Sequence, residues 1–263
     1  MSDEFYIGWE AKAAPGISKA TRRAVIALLA VAIMISICLA WEQRLIGAGV
    51  FEWGTTKTFS GIFRATPSPH LLVARPGTLG AAVSHSTYHL VAPWKFGLSQ
   101  TAIADFDGKQ VTLKGTLIYR GNQTMIETQP DLITASTLQT APLPIAAVPL
   151  GRQTLVGEIV DSKCFLGVMN PGQLTPHRAC AIRCISGGVP PLLLVRQKKG
   201  PPIYLLLVSH EGKPVNQKVL DLVAEPVEIT GEVERQGDLL ILRANWDTIR
   251  RRAHASKIPE SGA

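Results

Sequence analysis

The chain has 263 residues, 46% of them apolar, so it is long enough to bury one large core or two small ones. Its net charge of +7 suits contact with an anionic surface. The sequence contains no phosphate-binding loop, no glycine-rich dinucleotide fingerprint and no Ser-His-Asp order, which argues against the enzyme classes that depend on them.

An uncharged apolar run predicts a transmembrane helix over residues 24–41, after a cytoplasmic segment at residues 1–23. The run from Ala24 to Ala40 would span about 25 Å as a helix, and Trp41 follows it where interfacial aromatic residues lie. Basic residues precede the run: Lys12, Lys19, Arg22 and Arg23. This bias predicts a single-pass anchor in the bacterial cytoplasmic (inner) membrane, with the bulk of the chain in the periplasm. A cleaved signal sequence and a buried soluble helix are the alternatives.

From about residue 50 onward the sequence alternates in the manner of β-strands separated by turns. Two segments, Val111–Arg120 and Val227–Arg235, match each other, and each has a glycine near its middle. The same apolar-x-Gly-x-apolar rhythm occurs in Phe59–Arg64 and Leu155–Asp161. A glycine inside a strand is typical of a bend in a strongly coiled small barrel. We therefore predict a duplicated unit, with chance similarity between hairpins as the alternative.

This pattern predicts a mainly β fold, in which an N-terminal transmembrane helix is followed by two tandem small OB-like β-barrels. We place the first barrel at residues 50–135 and the second, with a short inserted Cys/His helix, at residues 152–248. A proline-rich linker at residues 136–151 would join them, and a basic tail would occupy residues 249–263. We interpret this tail as solvated chain and predict no nucleic-acid partner, because an exported domain would meet no chromosomal DNA.

Three of the four cysteines lie near one histidine. Cys164 follows a predicted strand, and HRACAIRCI is predicted to form a helix that Thr175-Pro176 begins and a Gly-Gly pair ends. His177, Cys180 and Cys184 would share one face of that helix. One imidazole and three thiolates can build a tetrahedral site. We therefore predict Cys164, His177, Cys180 and Cys184 as metal ligands, with zinc as the ion.

Other chemistry fits the same residues. An iron–sulfur cluster or a non-covalent haem on His177 is an alternative to zinc. A structural disulfide from Cys164 to Cys180 or Cys184 would suit an exported protein. A catalytic thiol and cysteines buried as small apolar residues are further hypotheses. Asp161 is predicted either to orient His177 as a hydrogen-bond acceptor or to cap a turn.

The other histidines show weaker patterns. His85 and His89 fit a strand that places both on one face, so a metal pair there is a minor hypothesis. His70 follows a proline, and we predict that it lies in a loop.

Three motifs carry a resemblance to a known group of proteins: VDxxCxxG at Val160–Gly167, HxxCAxxC at His177–Cys184 and GxP at Gly188–Pro190. Over about residues 154–245 the chain resembles a group of uncharacterised exported bacterial domains with an OB-like fold. The resemblance implies a β-barrel host and a common site. The first barrel and the start of the chain resemble a membrane-anchored subset of that group.

From the ligand types and the compartment we expect a non-catalytic role. The predicted function is a membrane-anchored periplasmic metal-binding accessory or assembly subunit of a membrane redox (electron-transfer) complex. Its expected partners are the lipid bilayer and other membrane-protein subunits. An exported thiol-disulfide oxidoreductase and a disulfide-stapled binding scaffold without metal are the alternatives.

Overall fold

The computed structural model describes residues 13–45, 49–75, 84–136, 146–198 and 200–252. The first half of the predicted cytoplasmic segment, most of the predicted linker and the last residues of the predicted tail lie outside the described residues. The chain divides into two compact units, Met1–Gly47 and Ala48–Ala263.

In its described residues the first unit has one helix, α1 (Pro15–Leu45), which is longer than the predicted span at both ends. Pro15 occupies its first turn, where a missing backbone N–H costs nothing. Within Pro15–Glu42, an 18-residue stretch has a mean hydropathy of 2.8 and is not buried, so the helix is long and apolar enough to cross a membrane. A signal sequence near the N-terminus has the same properties. The orientation and the compartment stay predictions.

The second unit begins with a seven-stranded sheet. Its strands are β1 (Val50–Phe51), β2 (Lys57–Arg64), β3 (His70–Arg75), β4 (Ser84–Val91), β5 (Gln110–Arg120), β6 (Gln123–Glu127) and β7 (Ile133–Ala135). Strands β2, β3 and β4 are antiparallel neighbours, β4 pairs in parallel with β6, and β6 and β2 both pair antiparallel with β5. These five strands close into a barrel. A short helix, α2 (Gln100–Ile103), lies between β4 and β5.

A six-stranded sheet repeats this connectivity. Its strands are β8 (Ala147–Asp161), β9 (Pro191–Val195), β10 (Ile203–Ser209), β11 (Pro226–Gln236), β12 (Leu239–Ala244) and β13 (Arg250–Arg251). Strands β8, β9 and β10 are antiparallel neighbours, β10 pairs in parallel with β12, and β12 and β8 both pair antiparallel with β11. The predicted pair of OB-like barrels is confirmed.

The repeated glycines permit close approach between neighbouring strands. A Cβ atom on Gly115 of β5 would lie 2.5 Å from a backbone oxygen of β6, and one on Gly231 of β11 would lie 2.3 Å from a backbone oxygen of β12. No side chain fits at either distance. The two glycines occupy equivalent places in the two barrels, which supports the predicted duplication.

Two predictions near the barrel boundaries differ from the structure. Strand β8 begins at Ala147, inside the predicted linker, and Pro149 fits there because the pairing with β11 shifts register beside it. Arg250 and Arg251 form β13 at the edge of β11, so the tail does not begin as free chain. Arg251 Nε donates to a carboxylate oxygen of Glu225 at 2.7 Å.

The second barrel alone carries a long insertion between its first two strands, and this insertion includes α3 (Arg178–Ser186). The insertion packs into a core that both barrels share. Ile118 and Met125 of the first barrel join Val160, Phe165 and side chains of β9, β10 and β12 in one cluster of buried residues. The barrels are therefore parts of one packed body.

Candidate metal centre

The three predicted thiols converge on one point. Cys164 begins a helical turn, Cys164–Val168, just after β8, and Cys180 and Cys184 lie one turn apart on α3. Cys164 Sγ lies 3.9 Å from Cys180 Sγ and 3.8 Å from Cys184 Sγ. Cys164 and Cys184 are buried and Cys180 is partly exposed, and all three are free thiols.

Asp161 performs both of its predicted roles. Its Oδ1 accepts a hydrogen bond from the backbone N–H of Cys164 at 2.7 Å, which fixes the turn that carries this thiol. Its Oδ2 lies 2.9 Å from Nε2 of His177, and both side chains are buried. Asp161 therefore positions the cysteine and the histidine together.

His177 lies just outside α3, because the helix begins at Arg178 and a 3-10 turn, Thr175–His177, precedes it. The four predicted ligands do not form one group, and together with Asp161 they make two overlapping groups. Cys164, Cys180 and Cys184 make the first, and Asp161, Cys164 and His177 make the second, with ligand atoms within 4.8 Å of one another in each group. Either group could hold a metal ion, and Cys164 belongs to both.

A lysine of the first barrel completes the thiol cluster. Lys95 Nζ lies 2.7 Å from Cys180 Sγ and 3.9 Å from Cys184 Sγ. The contact with Cys180 raises the pKa of Lys95. A hydrogen bond from the Cys164 thiol, together with the Lys95 charge, lowers the pKa of Cys184, and the same hydrogen bond and burial raise the pKa of Cys164. These contacts favour the thiolate form of Cys184 over that of Cys164.

The loop that carries Lys95 is held by a buried charge of the second barrel. Lys163 Nζ donates to the carbonyl oxygen of Ala92 at 2.8 Å and to that of Trp94 at 2.7 Å. It also forms an ion pair with the Glu127 carboxylate. Lys163 is 1% exposed, so this contact is fully enclosed.

The other end of the same loop contacts the end of α3. The backbone N–H of Gly97 donates to the carbonyl oxygen of Gly187 at 3.0 Å. A Cβ atom on Gly97 would lie 2.2 Å from the carbonyl oxygen of Gly188, so only glycine allows this approach. Lys95 is thus fixed on both sides by contacts with the second barrel.

Lys95, Lys163 and Glu127 were not predicted from the sequence. Lys95 stands between two aromatic residues and belongs to no motif. Lys163 had a signal, because it is a charged residue between a predicted strand and the predicted ligand Cys164. A buried cation beside a predicted ligand implies a partner, although the sequence does not show which one.

The other histidines lie elsewhere in the first barrel. His85 and His89 occupy β4, as predicted for a strand. His70 is buried at the start of β3 and opposes His89 across the ladder, so the predicted loop position is wrong. Burial lowers the pKa of His89 to about 3. Among the described residues, neither metal-binding group of three or more includes these histidines.

No protein family and no curated protein matches the sequence. A solved structure with partial similarity is the crystal structure of a deletion mutant of the single-stranded DNA binding protein from Thermus aquaticus. It is 13% identical, with 81% of this chain and 99% of that chain covered and a TM-score of 0.21. A likeness this weak carries no information on function. Any functional proposal therefore rests on the connectivity of the strands and the geometry of the thiols.

Proposed function

We propose that this chain is a membrane-anchored periplasmic protein that binds one metal ion and serves as an accessory or assembly subunit of a membrane redox complex. Cys164, Cys180 and Cys184 are the ligands on which the proposal rests. The observation that carries it is the spacing of their sulfur atoms at 3.8 and 3.9 Å within a largely buried site.

The spacing favours a single tetrahedral ion. Zinc–sulfur bonds of about 2.3 Å at tetrahedral angles place neighbouring thiolates about 3.8 Å apart. A disulfide would require about 2.05 Å between two of the sulfurs. An iron–sulfur cluster would place iron and sulfide atoms between the thiolates and would require a wider spacing. Zinc is therefore the ion that we propose.

We propose His177 as the fourth ligand of zinc. Its ring groups with Cys164 but not with Cys180 and Cys184, so metal binding would have to draw it closer to them. A zinc-bound histidine typically gives its second ring nitrogen to a carboxylate, and Asp161 already supplies that carboxylate at 2.9 Å. Three thiolates around a divalent ion leave one negative charge. The Lys95 ammonium, 2.7 Å from Cys180 Sγ, would offset it.

The position of the site supports a structural role. The thiols belong to the insertion of the second barrel, and they meet the Lys95 loop of the first. Metal binding would connect the insertion, β8 and this loop, and the binding free energy would become folding free energy. The candidate membrane helix α1 would place this body at a bilayer, where redox complexes assemble. Other membrane-protein subunits are the proposed partners, and nucleic acid is not.

Metal analysis combined with thiol counting tests the metal site. The full chain is purified in detergent under anaerobic reducing conditions, and its zinc content and alkylation rates are measured before and after chelation. We expect one zinc per chain and three thiols protected until the chelator is added, with Cys38 of the apolar helix counted separately after denaturation. Cys164→Ser and Cys184→Ser should lose the zinc, whereas the matched control Cys38→Ser should keep it. A chain that binds no stoichiometric metal and in which these three thiols react without chelator would contradict the proposal.

The role in a redox complex requires a separate experiment. Membranes of the source organism are solubilised mildly, and the chain is followed through size separation together with the absorption of haem and iron–sulfur groups. We expect the chain to migrate with a redox-active complex, and we expect that complex to lose assembly or activity in cells that carry Cys184→Ser. Migration of the chain alone, with an unaltered set of redox complexes, contradicts this role.

A thiol oxidoreductase is the second candidate, and the lowered pKa of Cys184 beside the Lys95 charge favours it. It predicts that one thiol of the metal-free chain reacts much faster than the others near neutral pH. It also predicts that the chain exchanges disulfides with a model substrate. The same alkylation series separates the two candidates, because only a metal site links protection of all three thiols to the chelator.

A further inference from the structure

Lys95 and Cys180 lie closer together than a hydrogen bond to sulfur normally allows. Their Nζ and Sγ atoms are 2.7 Å apart. Hydrogen bonds from nitrogen to oxygen have a typical length of about 2.9–3.0 Å, and charge-assisted ones about 2.7–2.9 Å. Sulfur is larger than oxygen, so a hydrogen bond to it is longer. A separation of 2.7 Å suits a nitrogen and a sulfur that share one bridging oxygen atom.

The backbone holds this contact in place. Trp94, directly before Lys95, has a φ of 61°, which is a strained conformation for a bulky residue. Contacts with the second barrel maintain this backbone conformation. Lys163 donates to the carbonyl oxygen of Trp94, and the backbone N–H of Gly97 donates to that of Gly187 at the end of α3. Strain that the surrounding structure maintains is common at functional sites.

The same pair is open to small oxidants. Lys95 and Cys180 are partly exposed, whereas Cys164 and Cys184 are buried. Exposed thiols near a positive charge are the ones that peroxides oxidise first. Cys180 is therefore the thiol of this cluster that should react first.

We propose that oxidation by hydrogen peroxide joins Lys95 and Cys180 through a covalent Nζ–O–Sγ bridge, and that this bridge switches off metal binding. The regulatory part rests on the proposed metal site, whereas the bridge itself does not. The bridge would take Cys180 out of the ligand set and would consume the charge of Lys95. The two remaining thiols would hold a metal ion much more weakly.

The chemistry balances with two molecules of peroxide. The first oxidises Cys180 to a sulfenic acid and leaves as water. Lys95 gives its extra proton to solvent, and its free amine forms an N–O bond with the sulfenic oxygen. The second peroxide accepts the two electrons of this step. It also takes up one hydrogen from the amine and one from the sulfenic hydroxyl, and so becomes two water molecules. Four-electron reduction by added thiols would regenerate the amine and the thiol.

Mass spectrometry of the full chain tests the bridge. The reduced, metal-free chain in detergent is treated with hydrogen peroxide, and intact and peptide masses are recorded. We expect a gain of one oxygen with a loss of two hydrogens, a cross-linked peptide pair that contains Lys95 and Cys180, and reversal by dithiothreitol. Lys95→Met and Lys95→Arg should abolish the cross-link. The matched control Lys114→Met, which alters an exposed lysine of the same barrel, should keep it.

Other products overturn the proposal. A gain of oxygen without a cross-link means that oxidation stops at the sulfenic acid or beyond. A loss of two hydrogens alone means that a disulfide forms within the cluster. Zinc content of the reduced chain is measured first, so failure of the metal site and failure of the bridge are separate results. If the zinc-loaded chain forms the bridge and keeps its metal, the regulatory part is wrong.

Discussion

Lys163→Met should destabilise the chain strongly, because Lys163 is a buried charge that joins the two barrels. Its Nζ contacts two carbonyl oxygens and the Glu127 carboxylate, and all three partners belong to the first barrel. The Lys163 side chain is 1% exposed and that of Glu127 is 13% exposed. Methionine would keep most of the volume of lysine and would remove its charge.

The magnitude follows from the groups left behind. Breaking a buried ion pair by removing one partner costs about 3–5 kcal/mol, because an uncompensated charge remains. The carbonyl oxygens of Ala92 and Trp94 would each lose a donor, at about 1–3 kcal/mol where no other donor replaces it. These losses belong to one network of contacts and do not add, so we expect the free energy of unfolding to fall by about 4 kcal/mol. A second change, Glu127→Gln, should recover part of this loss by removing the unpaired charge.

Urea unfolding of the full chain in detergent, followed by tryptophan fluorescence, measures the effect. Lys213→Met is the matched control, because Lys213 pairs with Glu211 at the surface, where the two side chains are 75% and 52% exposed. Exposed pairs contribute little, so this variant should unfold at nearly the wild-type midpoint. Equal midpoints for Lys163→Met and Lys213→Met would refute the argument that a buried charge holds the barrels together.

Three further predictions concern the barrels and the site. The folded pKa of His89 is about 3, below its unfolded value, so its contribution to stability is full above about pH 6.5 and falls as the pH drops. The loss by pH 5 should be about 2 kcal/mol. Urea unfolding of His89→Gln should depend less on pH than that of the wild type. An unchanged pH slope in that variant would show that other groups are responsible. Gly115→Ala and Gly231→Ala should each lower the free energy of unfolding in urea by about 1–3 kcal/mol, because an added methyl group overlaps a backbone oxygen. An unchanged free energy would mean that the strands move apart without cost. Asp161→Asn should weaken zinc affinity about 10–100-fold in competition with a chromophoric chelator, while an unchanged affinity would exclude His177 as a ligand that Asp161 orients.

The barrels were predictable because their signals are local. Alternation and a central glycine recur along single strands, and the resulting hairpins define most of the connectivity. The convergence of the thiols was also predictable, since Cys180 and Cys184 lie one turn apart and Cys164 follows a strand. The prediction that all four ligands share one group rested on His177 lying within the helix. The helix begins one residue later, and the imidazole groups with Asp161 and Cys164 but not with Cys180 and Cys184.

The remaining parts of the site depend on contacts between distant segments. Lys95 and Cys180 are 85 positions apart, and Lys163 lies 71 positions from Ala92. Such polar contacts leave no periodicity in the sequence, because each involves a single side chain. The end of the predicted linker belongs to β8, because Pro149 lies beside a register shift where its missing N–H does no harm. The prediction that His70 lies in a loop was wrong for a similar reason, because β3 begins directly after Pro69.

The shared core has a consequence for any attempt to divide this protein. Although the two barrels have the same connectivity, they are no longer interchangeable: one provides the sulfur atoms and the other provides the lysine beside them. Fragments cut between residues 136 and 147 would each expose apolar surface from the common cluster, as the halves of a permanent dimer do when they are separated. Such fragments should aggregate, and co-expression of both should restore a folded pair.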